Sequence, residues 1–291
     1  MGVIFGLIGA IFIGFSDTIA RVTSQKISLI ILITYIMFIS FILTSIWLLI
    51  SWDWPRWEFY SWSVAIVSGV LNIIVVALLY KALSRGPVYV ASPATSSFLV
   101  ILILFNVLNG QPFTFFQLIA GIFVFIGILM LSLPDMKDFN LTKYSSNYLR
   151  VTAFLGIASG FTIALRFFLA QESLSSLTAF HSLYLNRVSA LIVILFILLI
   201  YIIKNNKYNL PNGKYLILII IQAVFENLAL VSFLFGSKGD GRIGSTIGFS
   251  AFAIVTTATA WIWLGEKVPF KKVIWIVIIS LSLLVSIVYG P

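Results

Sequence analysis

The feature that most limits what this chain can fold into is a recurrence. Apolar stretches of about 20 residues return along almost its whole length, parted by short polar breaks. They lie near 2–22, 28–50, 61–83, 88–109, 113–133, 149–170, 178–203, 214–236, 242–264 and 270–289. A helix of about 20 residues covers the hydrocarbon core of a bilayer. Lipid offers no partner to a backbone N–H or C=O, so each stretch must satisfy its own as a helix. The expectation is an all-α membrane protein with ten transmembrane helices.

Composition supports this. The chain is 61% hydrophobic and 9% charged, with a mean hydropathy of +1.12, whereas soluble domains are nearer one half and one quarter. Lipid can solvate so much apolar surface, and a soluble fold cannot hide it. Cysteine is absent, so disulfides and thiol chemistry are excluded. The single histidine excludes the multi-histidine metal sites of membrane desaturases and oxidases, and no metal or cofactor is expected. The net charge of +9 sits in short loops between spans, which points to a membrane surface rather than to nucleic acid. The apolar start, Gly2 to about Ala20, has no basic leader and no small-residue cleavage site after it, so a cleaved signal peptide is not expected.

Gly, Pro and charge punctuate the linkers, as at Arg85-Gly86-Pro87, Gly110-Gln111-Pro112, Asn212-Gly213 and Gly239-Asp240-Gly241. The longest linker, 135–148, divides the chain into residues 1–134 and 149–291, with five spans each. Trp52, Trp54, Trp57, Tyr60 and Trp62 lie between two spans and read as an interfacial aromatic belt.

The two halves share an order of features. Displaced by 155 residues, Gly86 falls on Gly241, Asn72 on Asn227, and Gly110-Gln111 on Gly265-Glu266. The first helices align through Gly14-Phe15 and Gly160-Phe161, and the second through Tyr35 and Tyr184, which sets Phe38 opposite Arg187. Five spans per half is an odd number, so the second half enters the membrane from the opposite side. That arrangement, a pair of inverted repeats, places a substrate site between the halves near the midplane. Duplicated helices that pack only as a scaffold are the structural alternative.

Trp263-Leu264-Gly265-Glu266-Lys267 before a last apolar span resembles the Leu-Gly-Glu signature of the drug/metabolite transporter superfamily, EamA type. Leu108-Asn109-Gly110-Gln111 holds the same place in the first half, with Asn109 and Gln111 where the fuller motif has Leu and Glu. Leu79 to Pro93 resembles the family's segment joining its third and fourth helices. The resemblance implies ten helices in two inverted repeats and secondary transport of metabolites, often amino acids and commonly outward.

Ionisable side chains inside spans are the site candidates. Each costs about 2.5–3.5 kcal/mol at a helix centre, so each must face protein, water or substrate. Asp17, Arg166, Arg187 and Glu226 lie within spans, and His181 lies near the start of the seventh. Glu226, beside Asn227 and one turn after Gln222, is placed to bind a substrate amine, to carry a coupling proton, or to pair with Arg166 or Arg187. Asp17 has two readings: contact with substrate or proton, and pairing with Arg21 one turn on. Arg187 either receives a substrate carboxylate or anchors its helix. Asn72 and Asn227 either bind substrate from matched positions or bond neighbouring helices. Gly156, Gly160, Gly244 and Gly248 are expected to allow close helix packing, and Pro93 to bend the fourth span.

The expected function is therefore secondary transport, by alternating access, of a small metabolite such as an amino acid or related zwitterion. The partners are a small-molecule substrate, the lipid bilayer of the cell membrane, and a proton or other coupling ion, with no nucleic acid; the oligomeric state is not legible. A non-transporting receptor or scaffold is the alternative. A lipid-acting enzyme would need clustered carboxylates or histidines that nine acidic residues and one histidine do not supply. The side of the membrane is ambiguous. Thirteen Lys and Arg fall on one side and three on the other, which puts both termini outside by the positive-inside rule, whereas the family resemblance puts them inside.

Overall fold

The structure is a computed structural model that describes residues 1–132, 145–205, 211–265 and 270–289. Among these residues there is no strand. The helices are α1 (Gly2–Thr23), α2 (Leu29–Ser51), α3 (Phe59–Arg85), α4 (Val88–Thr95), α5 (Phe98–Leu108), α6 (Phe115–Ser132), α7 (Ser146–Glu172), α8 (Ala179–Asn205), α9 (Gly213–Gly236), α10 (Arg242–Ser250), α11 (Phe252–Leu264) and α12 (Phe270–Val288). Among the described residues, eight helical segments are long and apolar enough to cross a membrane, α4 with α5 and α10 with α11 each counting as one. The other two expected spans are α6 and α12, apolar helices of 18 and 19 residues that pack on each other.

The bundle has two faces. Met1 lies on one, because α1 begins against Gly236 and Gly241. Tyr289 lies there too, accepting a hydrogen bond from Thr114 at 3.0 Å. The other face carries the ends of α1 and α3, where Arg21 Nη1 donates to the carbonyls of Leu83 (2.6 Å) and Ser84 (2.7 Å). Tyr148, at the start of α7, donates to the Arg85 carbonyl at 2.9 Å on this same Arg85 face. Helix α1 thus starts at the Met1 face and α7 at the Arg85 face.

The fourth span of each half is broken. In the first, α4 contains Pro93 and ends at Thr95, and α5 restarts at Phe98 after a tight turn. In the second, α10 gives way to α11 at Ala251 without a proline. The breaks meet: the rings of Phe98 and Phe252 stack with centroids 6.1 Å apart. Helix α7 reaches the first break because Gly160 has no side chain; a methyl group there would sit 2.6 Å from the Thr95 carbonyl oxygen. Gly248 likewise lets α10 lie against the backbone of α1 at Val3.

Among the described residues, two large apolar clusters fill most of the interior. One gathers Phe98, Phe167, Phe233 and Phe249 among α5, α7, α9 and α10, and the other packs Leu32, Ile36, Met37 and Leu83 between α2 and α3. The outer surface is equally apolar: Phe38, Ile74, Leu104, Phe154, Ile192 and Phe196 are all exposed. A soluble protein rarely exposes apolar patches beyond a few hundred Å², so lipid is the solvent of this face. Trp52, Trp54 and Trp57 are exposed at the α2–α3 turn on the Met1 face, where an interfacial belt belongs. The Glu266-Lys267 portion of the sequence motif, and most of the 135–148 linker, lie outside the described residues. Gly110 and Gly265, paired by the 155-residue displacement, both take positive φ, 79° and 65°.

Candidate functional site

A small cavity of about 50 Å³ lies mid-bundle among α1, α3, α7, α9, α10 and α11. Small-molecule sites usually measure about 300–1,000 Å³, so a solute must widen this closed space to enter it. Three of its lining residues are charged: Asp17 from α1, Arg166 from α7 and Glu226 from α9. Tyr80, Phe167, Phe249 and Phe252 add an aromatic wall.

Each charged side chain keeps one buried polar atom without a partner: Asp17 Oδ2, Arg166 Nε and Glu226 Oε2. Buried polar atoms are nearly always paired, and one left unpaired costs about 1–3 kcal/mol, more when charged. Two acceptors and one donor, spread over three helices and facing one space, make a polar frame that a ligand can complete.

Arg187 has another role. It is wholly buried and is not among the cavity's lining residues. Its Nε donates to Asn227 Oδ1 at 2.9 Å, its Nη1 meets Glu226 Oε1 at 3.3 Å, and Nη1 lies 3.8 Å from Met37 Sδ. Asn72 reaches the same sulfur through Nδ2 at 3.4 Å. Asn72 and Asn227 therefore converge on one knot joining α2, α3, α8 and α9, at the margin of the cavity. Met37, not Phe38, stands at its centre. Phe38 is exposed on the outer surface, since one residue along a helix turns the side chain by about 100°.

Gln222 is buried below the cavity. Its Nε2 donates to Tyr80 OH at 2.7 Å, and its Oε1 accepts from Thr23 Oγ1 at 3.2 Å. Tyr80 was not singled out from the sequence. A tyrosine in the last turns of a span reads there as an interfacial anchor, and only the pairing with Gln222 marks it as internal. Arg21 turns to the end of α3, where Nη1 meets the Leu83 and Ser84 carbonyls. His181 lies apart from the cavity, on the Met1 face, with Nε2 2.8 Å from the Asp53 carbonyl oxygen and 3.4 Å from its carboxylate.

Residues 1–133 match the EamA-like transporter family. A solved crystal structure shares the fold, with a TM-score of 0.73 over 99% of this chain and 96% of its own length, at 13% identity. No curated protein matches the sequence.

Proposed function

From the premise that residues 1–133 form an EamA-like, drug/metabolite-type transporter segment, we propose that the whole chain is a secondary transporter of amino acids or related zwitterions. The observation that carries this reading is the frame of Asp17, Glu226 and Arg166 around one cavity, each with an unsatisfied polar atom. A zwitterion supplies the complement: its ammonium donates to the two carboxylates, and its carboxylate accepts from the guanidinium. The aromatic and aliphatic wall takes the remaining apolar part of the solute.

Ten crossings, in two inverted halves of five, suit this role. The opposed starts of α1 and α7, the paired breaks at 96–97 and 251, and the convergence of Asn72 and Asn227 all support the repeat. Inverted repeats place the site between the halves and let one rock against the other. Asp17 and Glu226 are the positions for a coupling proton, since a proton and a substrate amine compete for the same oxygens. Export across the cell membrane is the direction the family resemblance implies.

The test is flux in proteoliposomes. A panel of radiolabelled amino acids is offered under an imposed pH gradient, to the natural chain and to Glu226→Gln, Asp17→Asn and Arg166→Gln. Transport of at least one zwitterion, lost in these variants while the protein stays folded, is expected. If the natural chain moves no member of the panel under any gradient, the reading fails.

A further inference from the structure

We propose that Glu172, oriented by Arg242, is the latch that holds the two halves together at the Met1 face, and that its release opens the cavity toward that face. This rests on the transport reading above, but its test reads access rather than flux.

The two ends of the cavity are closed differently. Toward the Met1 face stand two layers. The first is a cluster of buried rings. Phe167 lies 4.4 Å from Phe233 and 5.3 Å from Phe249 by ring centroids, Phe233 lies 5.1 Å from Phe249, and Phe98 lies 5.7 Å from Phe167. Phe167 follows Arg166 directly, and Glu172 lies about 7.5 Å further along α7. The second layer is polar and hangs on two consecutive residues at the end of α7. Gln171 is wholly buried; its Oε1 accepts from Asn106 at 2.9 Å and its Nε2 donates to Ser237 at 3.0 Å. Glu172 pairs with Arg242 at the start of α10. It also accepts from Tyr60 OH at 3.1 Å and from Asn109 Nδ2 at 2.9 Å.

Toward the Arg85 face, the described residues below the cavity form a hydrogen-bonded chain, Thr23–Gln222–Tyr80, with no comparable ring cluster. Neutral side-chain hydrogen bonds of this kind exchange for water at about 0.5–1.5 kcal/mol each, whereas those to charged groups are worth about 1.5–3. The Met1 face is thus closed by a ring cluster and an ion pair together, whereas on the Arg85 face Arg21 ties the end of α1 to the end of α3.

Glu172 is the point where that closure is concentrated. Its partners come from both halves: Tyr60 and Asn109 from α3 and the end of α5, Arg242 from α10. The carboxylate stands at the C-terminal end of α7, where the helix dipole disfavours a negative charge. It is held there by Arg242 of its own half, which orients it, and by Tyr60 and Asn109 of the other half, and a rigid displacement of the halves parts it from those two. Packed interfaces of this kind switch between two arrangements rather than stretch.

The cysteine-free sequence permits a direct test. Ala229→Cys places one thiol in the cavity wall. Labelling by a membrane-impermeant maleimide is followed in sealed vesicles of known sidedness, with Trp54→Cys and Lys214→Cys marking the two faces. Glu172→Gln is expected to raise the rate from the Met1 face at least about fivefold, the size of shift a lost partly buried ion pair supports. The exchange Glu172→Arg with Arg242→Glu is expected to return the rate to its starting value. An unchanged rate in folded Glu172→Gln protein overturns the latch, as does a charge exchange that folds but does not restore closure. Should Glu172→Gln fail to fold, Asn109→Ala removes one exposed donor; it must raise the rate by a smaller factor, and no change there overturns the proposal equally.

Discussion

Arg187 Nε donates to Asn227 Oδ1 at 2.9 Å across the seam between α8 and α9, and the same guanidinium meets Glu226. The arginine most readily offered to a substrate is therefore already engaged, and it orients two groups at the cavity's edge. Removing one partner of a buried ion pair leaves the other uncompensated, at a cost of about 3–5 kcal/mol. Arg187→Ala is expected to lower stability by this amount, and Glu226→Gln in that background to recover part of it. Thermal unfolding in detergent measures both. Equal stability of Arg187→Ala and the natural chain would remove Arg187 from this role.

Arg166 is the guanidinium that faces the cavity. Arg166→Gln is expected to weaken binding of a zwitterionic amino acid by tenfold or more, the loss of a charge-assisted hydrogen bond worth about 1.5–3 kcal/mol. The matching amine, which lacks the carboxylate, should bind both proteins equally. Ligand-dependent thermal shift reads the two affinities, and an equal loss for acid and amine would show that Arg166 does not read the carboxylate.

The membrane segments were legible because lipid enforces a rule that sequence displays: long apolar runs with polar stops. Each described helix falls within a few residues of an expected span. The break in the first half was legible through Pro93. The matching break at Ala251 was not, since no residue there forbids a helix and only packing around Phe98 and Phe252 selects it. The roles of Arg166 and Arg187 were illegible for a related reason. Both lie at mid-span, and what separates them is the direction each faces on its helix. Met37 and Phe38 make the same point, as adjacent residues turned one inward to Arg187 and one outward to lipid.

Gly69 lies on α3 less than one turn before Asn72, and a methyl group there would overlap the Asn186 carbonyl oxygen and the Ser189 hydroxyl of α8. Backbone cannot yield as a flexible side chain does. Gly69→Ala is expected to push α3 from α8 and to cost about 1–3 kcal/mol. Gly213, in the first turn of α9, has nothing within 4 Å of such a methyl group. Gly213→Ala should be neutral or stabilise by up to about 1 kcal/mol through the unfolded chain. The two variants, compared by thermal unfolding, separate close packing from backbone propensity.

Glu58 caps α3 on the Met1 face, its carboxylate accepting from the backbone N–H groups of Tyr60 (3.0 Å) and Ser61 (2.6 Å). These bonds, led by that from Ser61, hold its pKa below the ordinary 4.5. A carboxylate depressed in the folded state stabilises the fold above its unfolded pKa, and that contribution fades as pH falls through the folded value. The natural chain is therefore expected to lose melting temperature more steeply than Glu58→Gln as pH drops below about 4.5. The two curves should run parallel between pH 6 and 8. Because the carboxylate is only half-buried, the difference will be small and will shrink in high salt. Parallel curves through the acid range as well would mean that the cap does not depend on charge.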